Sequence, residues 1–159
     1  MSVGTRQDPY LGSRFVVEVE SMFVGSFAEV SGLELQVETE TYAEGGVNTH
    51  SHELPSRATS PNLVCKRGLT DSKLFWEWTR GTVDGTVVRK NGLVFLLNAA
   101  GAPAWGWGFT NAYPVKWTGP TFTADQGEVA VETLELAHDG LRTVPGLPAG
   151  ASSVQEFLG

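Results

Sequence analysis

Thr70-Asp71-Ser72-Lys73-Leu74-Phe75-Trp76-Glu77-Trp78-Thr79-Arg80, announced by Lys66-Arg67-Gly68-Leu69, is the helical stretch in a chain that otherwise reads as strands and turns. Isolated helices need roughly 12–15 residues even in favourable sequences, so one this short must lie on a sheet. At about 100° per residue, Leu74, Phe75 and Trp78 share an arc that predicts the core face. Trp76 falls nearly opposite, beside Lys73 and Arg80. Two readings stand for it. It packs beneath a loop or its neighbours' aliphatic stems, or it anchors a contact with another subunit, where aromatics are enriched.

The segments around this helix have the period of strands. Phe15–Glu20 is β-rich, Gly25-Ser26 turns it, and Phe27–Val30 resumes. Leu33–Tyr42 alternates strictly: Leu33, Leu35, Val37, Thr39 and Thr41 share one face, and Glu34, Gln36, Glu38 and Glu40 the other. Val47–Asn62 is polar and lacks a helical period. Loops beyond about 12–15 residues are usually functional or disordered, so this one is singled out. Leu63–Lys66 is a short strand leading into the helix. Val87–Asn98 contains Asn91-Gly92, locally a strong hairpin signal. Trp105–Trp117 reads as a strand pair or one bent strand. Val129–His138 is the last long strand, with Glu128 and Glu132 on one face and Glu135 on the other. The sum is about seven β segments and one helix, a mainly β fold.

The chain has 159 residues, enough for one domain with a sizeable core. Acids outnumber bases 18 to 11, a formal net charge of −7. That balance disfavours a specific nucleic-acid partner, which would ask for a basic face, and disfavours adhesion to anionic membranes. No apolar run approaches the roughly 20 residues of a spanning helix, so no stable membrane anchor is expected. Met1–Tyr10 lacks the apolar region of a signal peptide, and synthesis and assembly in the cytoplasm are expected. The single cysteine, Cys65, leaves no internal disulfide.

Catalytic chemistry finds little purchase. His50-Ser51-His52 with Glu53 matches no zinc spacing, and solvated loop histidines are the simpler account. Cys65 lies in an apolar strand, where a thiol is usually inert packing. No Gly-x-Ser-x-Gly elbow and no phosphate-cradling glycine loop occurs. Trp105 and Trp107 share a strand face, which suits either a sugar-stacking platform or ordinary packing. The expectation is no catalytic residue, no metal, no cofactor and no enzyme activity. The glutamate row is different. In a monomer it is a solvated face; in a closed ring it would line a channel and set its electrostatics.

Taken in order, the segments follow one pattern from Asp8 to Leu141. They are Asp8-Pro9-Tyr10, Phe15…Val17-Glu18, Phe27-Ala28-Glu29-Val30-Ser31-Gly32-Leu33, Tyr42…Glu44-Gly45-Gly46, Leu54-Pro55, Pro61-Asn62-Leu63-Val64 and Lys66–Ser72 with Trp76-Glu77-Trp78. Later come Asn111-Ala112-Tyr113-Pro114…Lys116, Thr118-Gly119-Pro120 and Glu128–Leu141. This ordered set resembles the inner tail tube proteins of contractile injection systems, phage-tail-like particles similar in this part to the type VI secretion tube.

The resemblance implies a small β-barrel or sandwich with one flanking helix at about 71–80. It implies a tube domain over 1–142 and a Gly/Pro/Ala/Ser-rich tail over 143–159. It further implies hexameric rings stacked into a hollow tube, with a contractile sheath, baseplate or tube-initiator and cap proteins as partners, effector cargo in the lumen, and a particle that can be released from the cell. In that frame Glu34, Gln36, Glu38, Glu40 and Glu132 are the lumen candidates. Val47, Asn48, His50, His52, Glu53, Leu54 and Arg57, within 47–60, are the ring-stacking candidates. Lys73, Trp76 and Arg80 are the inter-subunit candidates on the helix. The stretch His52-Glu53-Leu54-Pro55-Ser56 departs from the family's usual basic residue before Leu-Pro-Gly. The family pattern also makes Arg89–Phe95 part of one strand, so Asn91-Gly92 becomes a bulge or irregularity. The same resemblance admits a specialised copy that starts the tube at the baseplate. A monomeric carbohydrate-binding module built on Trp105 and Trp107 is the alternative from a different class.

Overall fold

Pro103–Thr118 forms one strand of 16 residues, and the rest of the molecule is arranged around it. The structure, a computed structural model, describes residues 11, 15–20, 22–43 and 51–144. In chain order the elements are β1 (Phe15–Val19), β2 (Met22–Ser26), β3 (Glu29–Ser31), β4 (Gln36–Ala43), β5 (Ser51–Thr59), β6 (Leu63–Gly68), α1 (Leu74–Val83), β7 (Lys90–Leu97), β8 (Pro103–Thr118), β9 (Val131–Ala137) and β10 (Gly140–Val144). Strands pair antiparallel in the order β2-β1-β7-β8-β9-β6-β3, with β10 also on β8, while β4 and β5 form a two-stranded sheet of their own.

β8 is the one bent strand. Its first part pairs with β7 and β10; its last part, Tyr113–Thr118, pairs with β9. The bend sits at Asn111, whose φ of 53° is left-handed, a conformation asparagine tolerates better than most residues. Asn111 is held there from two sides. Its backbone N–H donates to Asn91 Oδ1 at 3.1 Å, and its side-chain amide donates to Asp139 Oδ2 at 2.9 Å. Asn91-Gly92 is therefore no hairpin. Lys90–Leu97 runs through it as one strand, with a register shift between Lys90 and Gly92. Gly92 is required because the Phe109 ring lies where a Cβ would be.

The wrapped sheet encloses Val17, Val19, Phe27, Leu63, Cys65, Val94, Phe109, Ala112, Leu134 and Leu136, and α1 closes it with Phe75 and Trp78. The Trp78 indole donates to the Val88 carbonyl at 2.8 Å, satisfying its polar tip. Leu74, expected on the core arc, is half exposed. The helix is displaced from the predicted 71–80. Thr70 Oγ1 accepts from the Ser72 N–H at 3.2 Å, a local turn that competes with helix. At the other end Gly81 does not stop the helix. Gly85 does, with φ of 98°: its N–H donates to Thr82 O and the Thr86 N–H to Gly81 O, the paired bonds of a Schellman motif.

Three further expectations change. Ser51–Thr59, read as part of a loop, is strand β5 paired with β4. Leu35 and Val37, expected to face the core, are exposed, because the chain leaves the barrel at Gly32 and only Leu33 of that row packs on the core. Thr143 and Val144, assigned to the tail, belong to β10 and pair with Trp107 and Gly106. The remainder of the tail lies outside the described residues.

Candidate functional site

The β4–β5 hairpin is an excursion from a tighter one. β3 and β6 are themselves antiparallel partners, with Ser31 opposite Val64. Gly32 and Asn62 pinch the base: Gly32 has φ of 94°, and a Cβ on it would collide with the Asn62 carbonyl oxygen. Between these two residues the hairpin extends as a two-stranded sheet that pairs with no other described strand. Leu35 is 69% exposed, Val37 55% and Leu54 55%.

Its two faces differ chemically. The register puts Val37 opposite Ala58 and Thr39 opposite Pro55 on the neutral face. Gln36, Glu38 and Glu40 lie on the other face, with Glu40 opposite Leu54. Between Val37 and Thr39 the register shifts, so that Ser56 and Arg57 together oppose Glu38. Arg57 Nε donates to Glu38 Oε2 at 2.9 Å, and Ser56 Oγ donates to the Glu38 carbonyl at 3.2 Å. The Glu38 carboxylate holds the Arg57 guanidinium above its ordinary pKa. One carboxylate of the predicted row is thus partly neutralised by a residue assigned to a different role. Glu34 precedes β4 and is exposed. Of the stacking candidates, Leu54 and Arg57 are exposed on β5, and His52 and Glu53 are β5 residues; Val47, Asn48 and His50 lie outside the described residues.

Glu132 is not on an open surface. On β9 it alternates with Leu134 and Leu136, points inward and is 2% exposed. Its register partner is Arg67, 7% exposed, with Arg67 Nε 3.3 Å from Glu132 Oε2. The second carboxylate oxygen accepts from the Trp117 indole N–H at 3.1 Å. Arg67 also lies 4.0 Å over the Phe75 ring. Placing Glu132 among lumen residues is therefore corrected: its carboxylate is inside the protomer. Arg67 was overlooked as a buried cation. The signal for both was the period of two, which puts Arg67 with Leu63 and Cys65, and Glu132 with Leu134 and Leu136.

Lys73, just before α1, and Arg80 on it are exposed, Arg80 lying 3.4 Å from Asp84. Trp76 is 47% exposed and meets Trp117 edge-on, with centroids 4.9 Å apart. Trp105 and Trp107 stack at 5.7 Å, with Trp105 half exposed. Trp107, Phe15, Val30, Leu33 and Leu96 line an apolar recess of about 340 Å³.

No group of three or more His, Cys, Asp or Glu is gathered to hold a metal among the described residues. Nor is any helix among them long and apolar enough to cross a membrane. Burial pushes the Cys65 thiol up to about 12. A raised acid favours the neutral form in the fold. Cys65 therefore costs no stability below about pH 9 and progressively more from there towards 12. Native protein is expected to resist iodoacetamide at pH 8 and react within minutes in urea; rapid native alkylation would contradict the burial.

A family model described as T4-like virus tail tube protein gp19 matches residues 12–142. The fold is similar to a chain in the cryo-EM structure of the anti-feeding prophage baseplate, at 26% identity and TM-score 0.77, over 88% of this chain and 98% of that one. It is similar to a chain of the PVC extracellular contractile injection system sheath–tube complex in its extended state. There the identity is 27% and the TM-score 0.77, over 86% of this chain and 92% of that one. Hcp1 from Flavobacterium johnsoniae shares the fold at 20% identity and TM-score 0.57, over 83% and 95% of the two chains. No curated protein sequence matches the chain.

Proposed function

The chain belongs to the T4-like virus tail tube protein gp19 family, and from that premise we propose that it is the structural subunit of the inner tube of a contractile injection system. Protomers close into hexameric rings, and rings stack into a hollow tube that carries effectors when a sheath contracts. A ring uses a head-to-tail contact that closes; stacking uses one that does not close and so propagates. The partners are copies of itself, a sheath protein, and initiator and cap proteins at the two ends. Assembly takes place in the cytoplasm, with the finished particle released. The body of the tube is the β domain that ends with β10.

The observation that carries this reading is the β4–β5 hairpin, open on both faces of a single chain. An exposed two-stranded ribbon is marginal alone and exposes strand edges, so a neighbouring copy is its natural cover. The neutral face, with Val37 and Ala58, and the 47–60 segment meet a neighbour; Glu34, Gln36, Glu38 and Glu40 face the lumen. Trp76, flanked by Lys73 and Arg80, anchors a subunit contact from the helix.

Concentrated protein is expected to form rings or tubes by negative-stain microscopy and light scattering. Reversing Glu34 and Glu40 to lysine is expected to leave the tubes intact and change the cargo they retain. An identical cargo set would remove the lumen assignment. Persistent monomers that bind glycans would favour the second reading, which the Trp105–Trp107 stack keeps open. Copy number in purified particles separates the main subunit from an initiator.

A further inference from the structure

We infer that Glu132 is a positioning residue for the inter-subunit surface of α1, acting through Trp117 on Trp76. The inference rests on the reading of Trp76 as a subunit anchor and deepens it.

One carboxylate reaches the helix by two routes. Through Oε2 it holds Arg67, whose guanidinium lies 4.0 Å over the Phe75 ring. Through Oε1 it holds the Trp117 indole N–H at 3.1 Å, and the Trp117 ring meets the Trp76 ring edge-on at 4.9 Å. Phe75 and Trp76 are consecutive and project about 100° apart around the helix, one buried in the core and one half exposed. A helix of 10 residues with no side-chain cap at its start is fixed by its side-chain contacts, and to the burial of Phe75 and Trp78 and the Trp78–Val88 hydrogen bond this network adds a hold on Trp76. Gripping adjacent residues from below and from the flank sets both its height and its rotation.

The network is also specific. An indole has one donor, and a carboxylate accepting from it fixes the ring's orientation, not only its depth. Edge-to-face aromatic contacts depend on that orientation. Trp76 therefore stands at a fixed angle on the surface, where a half-exposed indole unsupported on its flank would sample several rotamers. An anchor held in its bound geometry binds more tightly, because less freedom is lost on association.

The test separates anchor from support. Trp76→Ala, Trp117→Phe and Glu132→Gln are compared with the parent in two measurements: the concentration at which tubes sediment, and the urea midpoint of the dispersed protomer. A third measurement uses 5-fluorotryptophan-labelled protein below the assembly concentration, with the Trp76 fluorine resonance assigned by its loss in Trp76→Phe. Trp76→Ala is expected to raise the assembly concentration roughly tenfold or more, as loss of a central aromatic anchor does. Trp117→Phe keeps the Arg67–Glu132 pair and removes the indole donor. It is expected to shift or broaden the Trp76 resonance and to raise the assembly concentration several-fold, with a urea midpoint that falls less than in Glu132→Gln. Glu132→Gln is expected to move the same resonance. An unmoved resonance and unchanged assembly in Trp117→Phe, beside a defective Trp76→Ala, would overturn the inference and leave the anchor standing. Unchanged assembly in Trp76→Ala would overturn the anchor itself. A urea midpoint that falls in step with assembly in Trp117→Phe would reduce the network to a structural role and overturn the inference as well.

Discussion

Replacing Glu132 by alanine is expected to cost about 3–5 kcal/mol of stability, the largest loss from any single truncation of a polar residue here. The reason is what stays behind. Arg67 is as buried as the hydrophobic core around it, and its Nη2 already lacks a hydrogen-bond partner among the described residues. Without Glu132 the guanidinium keeps only the Phe75 face, and the Trp117 indole loses its acceptor. A buried cation without a counter-charge is far more expensive than a missing ion pair on the surface, which is worth under about 1 kcal/mol. Domains of this kind have only about 5–15 kcal/mol in total, so the loss is a substantial share of it. The double change Arg67→Met with Glu132→Leu removes both charges and refills the space. It is expected to recover most of the loss, because a buried pair contributes little against well-packed apolar residues. Urea titration of the dispersed protomer at pH 7 measures all three proteins. A single variant within about 1 kcal/mol of the parent would show that Arg67 finds solvent the structure does not give it.

Period and punctuation made the barrel readable; what they could not supply was which layer covers which face. Alternation in Leu33–Thr41 separated an apolar row from a glutamate row, a separation that β4 keeps from Gln36 onward. It could not say that the apolar row would leave its own chain's core at Gly32, because alternation reports that two faces differ and not what lies against them. Ser51–Thr59 hid as a strand for a related reason. Pro55 and the bulge at Ser56-Arg57 break the period of two, and with neither face buried no run of β-branched residues marks it. Asn91-Gly92 carried a local hairpin signal that tertiary packing overrode, the glycine serving to admit the Phe109 ring. The helix was legible in kind and misplaced in extent. It was expected to end at about residue 80, whereas Asp84-Gly85 supplied the stop. Glu132 was the costliest misreading. Its position between Val131 and Thr133, in step with Leu134 and Leu136, marks an inward residue. Only the partner Arg67, 65 positions away in sequence, makes an inward carboxylate reasonable.

Excising Leu35–Ser60 and closing the gap with a short glycine-containing turn is expected to abolish tube formation while leaving the barrel folded. The geometry makes this separation sharp. Ser31 and Val64 are already paired across β3 and β6, and Gly32 and Asn62 already approach each other at the base of the excursion. A turn there joins strands that are neighbours, so closing it costs little loop entropy. Nothing in the main core is removed. The core cluster draws on β1, β6, α1, β7, β8 and β9, and Leu33, which packs against it, is retained. The urea midpoint of the dispersed protomer is therefore expected to stay within about 1 kcal/mol of the parent, the range of surface changes away from buried features. Assembly faces the opposite arithmetic. The deletion takes away exposed Leu35, Val37 and Leu54, the Glu38–Arg57 ion pair, and the segment assigned to stacking. Removing the hairpin's entire share of the contact surface, where Trp76→Ala removes one anchor on α1, should drive the assembly concentration beyond reach in sedimentation and leave only small species by electron microscopy. Normal long tubes from the excised protein would show that stacking runs through some other surface and that the hairpin's open faces are solvated in the particle. An unfolded product would instead show that β4 and β5 are needed to bring β3 onto β6, contrary to the pairing at Ser31 and Val64. Circular dichroism of the same sample decides between the two.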